Sequence, residues 1–246
     1  GFTVGSDNSS NKLNEDFVAW NWKGAEIPAI NSNGSISSVV SANPAAGFSI
    51  VDCTVTSNLS TAGHGLPTKP DVVIIKPRNV TSDWNVYHKD LGADQYLQLN
   101  NSNGAGTISG IWDLIDDTVI GGFYGTWNFI AYCFAEVAGF SKFGSYTGNG
   151  NAAGPTINCG FEPAFVMIKA SSAVSFNRGV WVMKDNKRDT TNPNSANLYA
   201  NLSNAEDTAS VADVNFLSNG FQPAGTYEGI NESGKTYIYM AFANQF

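Results

Sequence analysis

The sequence predicts an all-β fold, made of tandem antiparallel β-sandwich repeats of jelly-roll-like type. The first observation is that short apolar segments, rich in aromatic and β-branched residues, alternate with turns of Gly, Asn and Pro. This alternation is typical of sandwiches and jelly rolls. The second is that one uncharged apolar segment, residues 129–135, has counterparts at 17–22 and 237–243. The recurrence of one core strand indicates a repeat architecture.

Composition limits the class of protein and the classes of partner. Apolar residues make up 42% of the chain, which is enough for a globular core. Charged residues are only 14%, and the formal net charge is −8. Phosphate contacts need clustered cations, so we expect no nucleic-acid partner and no anionic membrane surface. Since no apolar run approaches the roughly 20 residues of a membrane span, we also expect no membrane insertion.

The first 46 residues are organised differently from the rest. Residues 1–22 show the same order of features as residues 220–242: Gly-Phe, polar turn residues, then the recurrent apolar segment. We therefore expect residues 1–46 to be the tail end of a preceding repeat followed by a linker with one exposed strand. The chain would then be a fragment of a longer protein. We expect the apolar face of residues 17–22 to pack on the first full repeat or on a neighbouring subunit.

Two full repeats are expected at residues 47–138 and 139–246. The clearest match joins residues 69–76 and 162–169, where a Pro stands before an apolar run that ends in Lys. Pro is tolerated at the first residue of a strand, because its missing N–H is not needed there. Neither repeat contains a convincing helix. The sequence does not decide whether the two repeats share one core.

The three cysteines form neither a zinc framework nor a dense disulfide scaffold, since their number is odd and no CxxC pair is present. Cys133 lies within the recurrent apolar segment, so we expect a buried thiol. A disulfide between Cys53 and Cys159 stays open as an alternative.

The two histidines do not indicate a catalytic site. His64 lies between two glycines, which favours a turn residue with satisfied hydrogen bonds. His88 follows Tyr87 on a predicted strand. If Tyr87 points inward, His88 is exposed, because successive side chains of a strand alternate. We therefore predict no catalytic residue.

Aromatic residues are the candidates for ligand binding. Trp84 and Trp181 occupy matched positions in the two repeats, which is typical of core residues. Trp112, Tyr124 and Trp127 lie beside or near glycines, outside the matched pattern, so we expect them on an exposed surface. Flat rings of this kind stack on the C–H faces of sugars. We therefore predict these three as ligand-binding residues.

An acidic cluster is the candidate metal site. Asp113, Asp116 and Asp117 supply hard oxygen ligands of the kind that Ca²⁺ binds, although the EF-hand spacing is missing. A paired-carboxylate site for glycoside hydrolysis would use the same residues. The favoured interpretation is a solvated acidic loop with no cofactor, and calcium binding is the alternative.

Several motifs together resemble a known family. The most specific is Phe-Ala-Glu-Val-Ala-Gly-Phe-Ser-Lys-Phe-Gly-Ser-Tyr-Thr-Gly-Asn-Gly at 134–150; Gly-Phe-Ser-Ile-Val at 47–51 and Trp-Asn-Val-Tyr-His at 84–88 add to it. Over nearly the whole chain they resemble a repeat domain of unknown function that occurs in virion structural and tail-fibre-like proteins of marine tailed phages of the cyanophage type. The resemblance implies an extracellular location on the virion surface. It also implies partners among other virion or appendage subunits and host-surface glycans or proteins.

Together these observations predict a non-enzymatic virion structural protein, part of a phage tail fibre or surface appendage that contacts the host cell surface. Such appendages are usually homo-oligomeric, and we expect the same here. Three alternatives stay open: a lectin-like carbohydrate-binding module, a polysaccharide depolymerase and a bacterial surface filament subunit.

Overall fold

A computed structural model describes residues 2–112, 114–208 and 212–244 of the chain. Within these residues the fold is all-β, as predicted, and the single α-helix, α1 (Glu228–Asn231), is one turn long. Short 3-10 turns lie at Pro44–Ala46 and Ser175–Asn177. No helix in the described part is long and apolar enough to cross a membrane.

The first half of the described chain forms ten strands. They are β1 (Ala29–Asn31), β2 (Ser38–Asn43), β3 (Phe48–Thr54), β4 (Ser60–Gly63), β5 (Val72–Pro77), β6 (Asn85–His88), β7 (Gln95–Gln98), β8 (Gly106–Thr107), β9 (Val119–Phe123) and β10 (Asn128–Phe134).

The second half of the described chain forms eight strands. They are β11 (Ser141–Thr147), β12 (Ile157–Asn158), β13 (Phe165–Ala170), β14 (Trp181–Asp185), β15 (Leu198–Tyr199), β16 (Asp213–Leu217), β17 (Gly220–Ala224) and β18 (Thr236–Phe242).

The first half packs an eight-stranded sheet against a two-stranded sheet. The strand order of the large sheet is β1-β2-β3-β10-β5-β6-β7-β8, and β4 pairs with β9 in the small one. The recurrent segment forms β10, which lies inside the large sheet between β3 and β5, as its lack of charge predicts. Phe129, Ala131 and Cys133 point toward the small sheet and join the first apolar core there.

The second half packs a five-stranded sheet, β11-β18-β13-β14-β15, against a three-stranded sheet, β12-β17-β16. Tyr237, Tyr239 and Ala241 of β18 point toward the three-stranded sheet, where they join Val214 and Phe221 in the second apolar core.

The two halves have matching strand orders. In the first half β3-β10-β5-β6-β7 lie side by side, and in the second half β11-β18-β13-β14-β15 follow the same order. The pairing of β4 with β9 likewise corresponds to that of β12 with β17. The matched Pro-to-Lys segments of the sequence fall on β5 and β13, the third strand of each series.

A third apolar core joins the two halves. It contains Phe48 and Phe134 from the eight-stranded sheet and Phe143, Trp181 and Phe242 from the five-stranded sheet. These side chains belong to the sheet faces that point away from the first and second cores. The two halves therefore share a core, a point that the sequence had left open.

At least four polar contacts cross the same boundary. The Trp181 Nε1–H donates to the Gln98 carbonyl at 2.9 Å, and the Lys169 ammonium donates to the Asn103 carbonyl at 2.6 Å. The backbone N–H of Ala105 donates to the Ser171 carbonyl at 2.7 Å. The fourth contact joins His88 Nε2 to the carbonyl of Tyr239.

The prediction that His88 is exposed is wrong, since its side chain is completely buried. The alternation argument itself was correct, because Tyr87 does point into the first core. The opposite face of the strand is covered by the second half of the chain rather than by water. The local sequence pattern cannot reveal that His88 is covered, since the covering residues lie far along the chain.

The prediction of a core strand at residues 17–22 is also wrong, since these residues form no strand and pair with no described strand. Trp20 and Trp22 nevertheless pack against the third core, so the segment does contact the two halves. The expected single linker strand is a hairpin, β1 and β2, that widens the eight-stranded sheet.

Cys53, Cys133 and Cys159 are all buried free thiols, so the alternative of a Cys53–Cys159 disulfide is not realised. His64 is a buried turn residue with both ring nitrogens in use, as predicted. Its Nδ1 accepts from the Leu66 N–H at 3.1 Å, and its Nε2 lies 3.2 Å from the Asp116 carbonyl.

Candidate functional site

A cleft of about 550 Å³ lies where residues 18–23 cross the start of β13 and the end of β18. This size is in the range of sites that bind small molecules or side chains of a partner. The cleft opens beside the third core, and outer side chains of that core, such as Phe165 and Phe242, form part of its lining.

Aromatic rings form one wall of the cleft. Trp22 packs edge-to-face against Phe134 and Phe242, with ring centroids 5.9 and 5.3 Å apart. Trp20 packs against Phe165 at 5.2 Å. The antiparallel pairing of β13 with β18 places Phe165 opposite Phe242, and Phe134 of the other large sheet packs on Phe242 at 5.9 Å. Trp20 and Trp22 stand two residues apart in the chain, and both reach these rings.

Polar side chains form another part of the cleft wall. They include three amides and two exposed lysines: Asn21, Asn43, Asn186, Lys23 and Lys187. Neither lysine makes an ion pair with a residue that the structure describes.

A buried ion pair supports this wall from behind. The Arg188 guanidinium donates to the Asp185 carboxylate at 2.6 Å, contacts Glu206, and lies over the Trp20 ring at 5.6 Å. Burial raises the pKa of Asp185, but the hydrogen bonds from Arg188 outweigh it and hold that pKa below its usual value. The tryptophan segment is therefore anchored by a cation–π contact as well as by ring packing.

Three buried polar atoms around Trp20 have no hydrogen-bond partner within the described residues: Trp20 Nε1, Asn186 Oδ1 and Arg188 Nη2. Unpaired buried donors and acceptors cost free energy. Hydrogen bonds thus do not explain the position of Trp20, which is held by ring packing and by the contact with Arg188.

The predicted ligand-binding residues lie away from this cleft. Trp112 is buried in the first core, where its Nε1–H donates to the Gln95 carbonyl at 2.9 Å and its ring meets Tyr87 edge-to-face. Its expected surface exposure is therefore wrong. Trp127 is half-buried against Phe129, and Tyr124 is 37% exposed beside it in the turn between β9 and β10.

The acidic cluster lies in the connection before β9. Asp113 lies outside the described residues. The Asp116 carboxylate accepts from the N–H groups of Thr118 and Val119, which lowers its pKa. The Asp117 carboxylate accepts from the Lys69 N–H at 2.8 Å. No group of three or more His, Cys, Asp or Glu able to hold a metal ion is present among residues 2–112, 114–208 and 212–244.

Sequence reasoning missed the cleft, although one signal was present. Trp20 and Trp22 stand two residues apart in a polar N-terminal segment. The two-residue spacing predicts a core strand, but it suits equally well a segment outside the sheets that presents two rings to the same surface. Phe165 and Phe242 are far away in the sequence, so nothing local pairs them with the tryptophans.

Comparison with known proteins gives a family and no activity. The sequence profile of a family described as a domain of unknown function, DUF7483, matches residues 1–245. No curated protein and no solved structure matches the chain. The match spans the tryptophan segment, both sets of sheets and the cleft, and on this ground the chain belongs to the DUF7483 family.

Proposed function

We propose that this chain is a non-enzymatic structural component of a phage tail fibre or similar surface appendage, built from two β-sandwich, jelly-roll-like repeats at residues 47–138 and 139–246. The observation that carries the proposal is the identical strand order of β3-β10-β5-β6-β7 and β11-β18-β13-β14-β15, packed face to face. Repeated sandwiches with a common core suit a component that must keep its shape while it projects contact surfaces.

Rigidity follows from how the repeats are joined. Packed aromatic rings such as Phe134 and Phe242, 5.9 Å apart across the boundary, have little freedom to slide. The hydrogen bonds of Trp181 and Lys169 to Gln98 and Asn103 fix the rotation of one repeat against the other. An appendage made of many such blocks would multiply weak contacts with a host surface into strong attachment.

Carbohydrate binding is the second candidate function, and the cleft favours it. Rings beside amides and a lysine, as in Trp22, Asn21 and Lys187, are the groups that stack on and hydrogen-bond to sugars. A glycan panel tested against the wild type and Trp22→Ala would check this: binding that the variant loses supports a lectin-like module. Release of reducing ends from a polysaccharide would instead indicate a depolymerase.

Locating the chain on its particle tests the proposal directly. Antibodies raised against the purified chain would be applied to isolated phage particles and to envelope preparations of the host, and viewed by electron microscopy. We expect label along the tail fibres, together with peptides of the chain in the mass spectrum of the particles. Label confined to bacterial filaments would favour the surface-filament alternative, and label in neither preparation would contradict the proposal.

A further inference from the structure

The connection between β13 and β14 presents an aromatic side chain to solvent. Phe176 stands at its tip and is 78% exposed. Only three large apolar side chains exceed 70% exposure in the described parts of the chain besides Phe176: Leu13, Ile27 and Ile30. A single exposed apolar side chain is common on folded proteins, so its significance depends on how the ring and its backbone are held.

The backbone at this tip is held in an unfavourable conformation. Phe176 and Asn177 have φ angles of 57° and 53°, in the left-handed region that residues with a side chain rarely adopt. Two hydrogen bonds from Ser175 to the Glu232 carboxylate, at 2.8 and 2.6 Å, fix the entry to the turn. Such conformations persist where the surrounding structure enforces them, and they are concentrated at functional sites.

A stack of side chains holds the Phe176 ring in place. The Arg178 guanidinium lies 5.4 Å from the Phe176 ring centroid and 5.3 Å from that of Tyr227. The same guanidinium donates to Glu228 at 2.7 Å. The ring is therefore positioned before any partner arrives, which reduces the entropy that binding would cost.

The Phe176 tip and the aromatic cleft lie at opposite ends of β13. Phe165, at the start of the strand, lines the cleft, and the tip follows Ala170, at the end of the strand. Six strand residues span about 20 Å. An exposed ring at one end and a ring-lined cleft at the other are complementary surfaces that a single chain cannot bring together.

The charges at the two ends are complementary as well. Glu228 is paired with Arg178, whereas Glu232 is bonded to Ser175 beside the Phe176 tip; these bonds lower the pKa of Glu232, so its carboxylate is ionised at neutral pH. Lys23 and Lys187 line the cleft and are exposed. The Glu232 carboxylate beside the tip would thus meet the two lysines around the cleft.

We propose that the Phe176 tip of one copy inserts into the cleft between Trp20, Trp22 and Phe165 of a second copy. The two surfaces differ, so the contact is heterologous, and each copy keeps one free tip and one free cleft. Contacts of this type continue into open filaments unless the rotation closes a ring. The inference rests on the proposed appendage function and supplies a way for such an appendage to grow.

Sedimentation velocity over a wide concentration range tests the contact. Phe176→Asn removes the ring while keeping a residue that tolerates positive φ. Leu59→Asn is the matched control, because Leu59 is 56% exposed and has a φ of 62° in a different loop. We expect a ladder of oligomers for the wild type and for Leu59→Asn, and an association at least about 30-fold weaker for Phe176→Asn, as for an interface hot spot.

A mixing experiment tests the head-to-tail geometry. Ala164→Trp fills the cleft and leaves the tip intact, whereas Phe176→Asn removes the tip and leaves the cleft intact. Lys187→Glu is a second cleft variant, which reverses a charge and does not depend on packing. Unfolding curves identify any variant that fails to fold. Each variant alone should be monomeric, and an equal mixture should stop at a dimer, since one working tip meets one working cleft.

A wild type that is monomeric at all concentrations would overturn the proposal. So would a mixture of variants that stays monomeric, or oligomers of unchanged strength in Phe176→Asn. Glycan binding in the cleft of a monomeric wild type would assign the cleft to sugar instead. None of these outcomes changes the antibody labelling of the tail fibres, so the appendage proposal is tested separately.

Discussion

His88 and Tyr239 are joined across the boundary between the two halves of the chain, with His88 Nε2 3.3 Å from the Tyr239 carbonyl oxygen. His88 Nδ1 accepts from the Asp90 N–H at 3.2 Å, so Nε2 carries the proton and donates it to the carbonyl. A neutral imidazole, completely buried, therefore links two sheets that the sequence describes only as separate repeats.

We expect acid to destabilise the protein through His88. Burial lowers the pKa of His88 from 6.5 to about 4. Between these values the unfolded chain binds the proton and the folded chain does not, so stability is complete above about 6.5 and falls as the pH approaches 4. A full shift of this size corresponds to about 3 kcal/mol. Urea unfolding at several pH values checks this.

His88→Gln is the informative variant, because its amide can still donate to the Tyr239 carbonyl but does not titrate. The slope of stability against pH between 4 and 6.5 should be smaller in this variant than in the wild type. His64 is also buried, and burial lowers its pKa in the same direction, so part of the slope stays. An unchanged slope would show that His88 is not buried as described.

Replacing Lys169 by Met should destabilise the contact between the halves. The Lys169 ammonium donates to the carbonyls of Asn103 and Ala170, which would lose their partner on substitution. A buried carbonyl without a partner costs about 1–3 kcal/mol. Thermal or urea unfolding measures the loss.

Lys76→Met provides the comparison for Lys169→Met. Lys76 lies at the matched position in β5, but its ammonium reaches only the nearby carbonyls of Pro77 and Val80. Lys76→Met should therefore lower the free energy of unfolding by clearly less than Lys169→Met does. Equal losses would mean that the bond across the boundary contributes nothing of its own.

Strand positions were accessible from the sequence, because an apolar run bounded by Gly, Asn or Pro is a local signal. The run at 129–135 gave β10 and the run at 237–243 gave β18 with shifts of one residue. How the faces pack was not accessible. By residue type, His88 and Lys169 look like surface residues. They are buried because the other half of the chain, which is distant in the sequence, covers their sheet faces.

The candidate site was less predictable than the strands. Trp112 looked available because it lies beside a glycine in an irregular region, yet the first core encloses it. The cleft forms from Trp20 and Trp22 meeting Phe165, more than a hundred positions later by their numbers in the sequence. No spacing rule connects residues at such a separation.

Trp22→Ala should loosen the N-terminal segment. Trp22 is half-buried against Phe134, Phe165 and Phe242, and losing these contacts should cost about 2 kcal/mol, somewhat below a fully buried tryptophan. Phe17→Ala is the control, because Phe17 is 51% exposed and should change stability by less than about 0.5 kcal/mol. Faster proteolysis near residues 17–28 in Trp22→Ala alone would accompany the loss.

The three cysteines should not react with thiol reagents in the folded protein. Burial raises the pKa of Cys53, Cys133 and Cys159 to about 12, so each stays a protonated, unreactive thiol at neutral pH. A thiol reagent should label none of them in buffer and all three in denaturant, and a reductant should leave the melting temperature unchanged. Fewer than three labelled thiols after unfolding would indicate a disulfide.

Calorimetry tests most directly whether the two halves form one rigid block. Because Phe134 and Phe242 lie in one shared core, 5.9 Å apart, neither half can unfold without exposing the sheet face of the other. We expect a single transition whose calorimetric and van't Hoff enthalpies agree. Two separate transitions, or a calorimetric enthalpy about twice the van't Hoff value, would show that the halves unfold independently and would contradict the shared core.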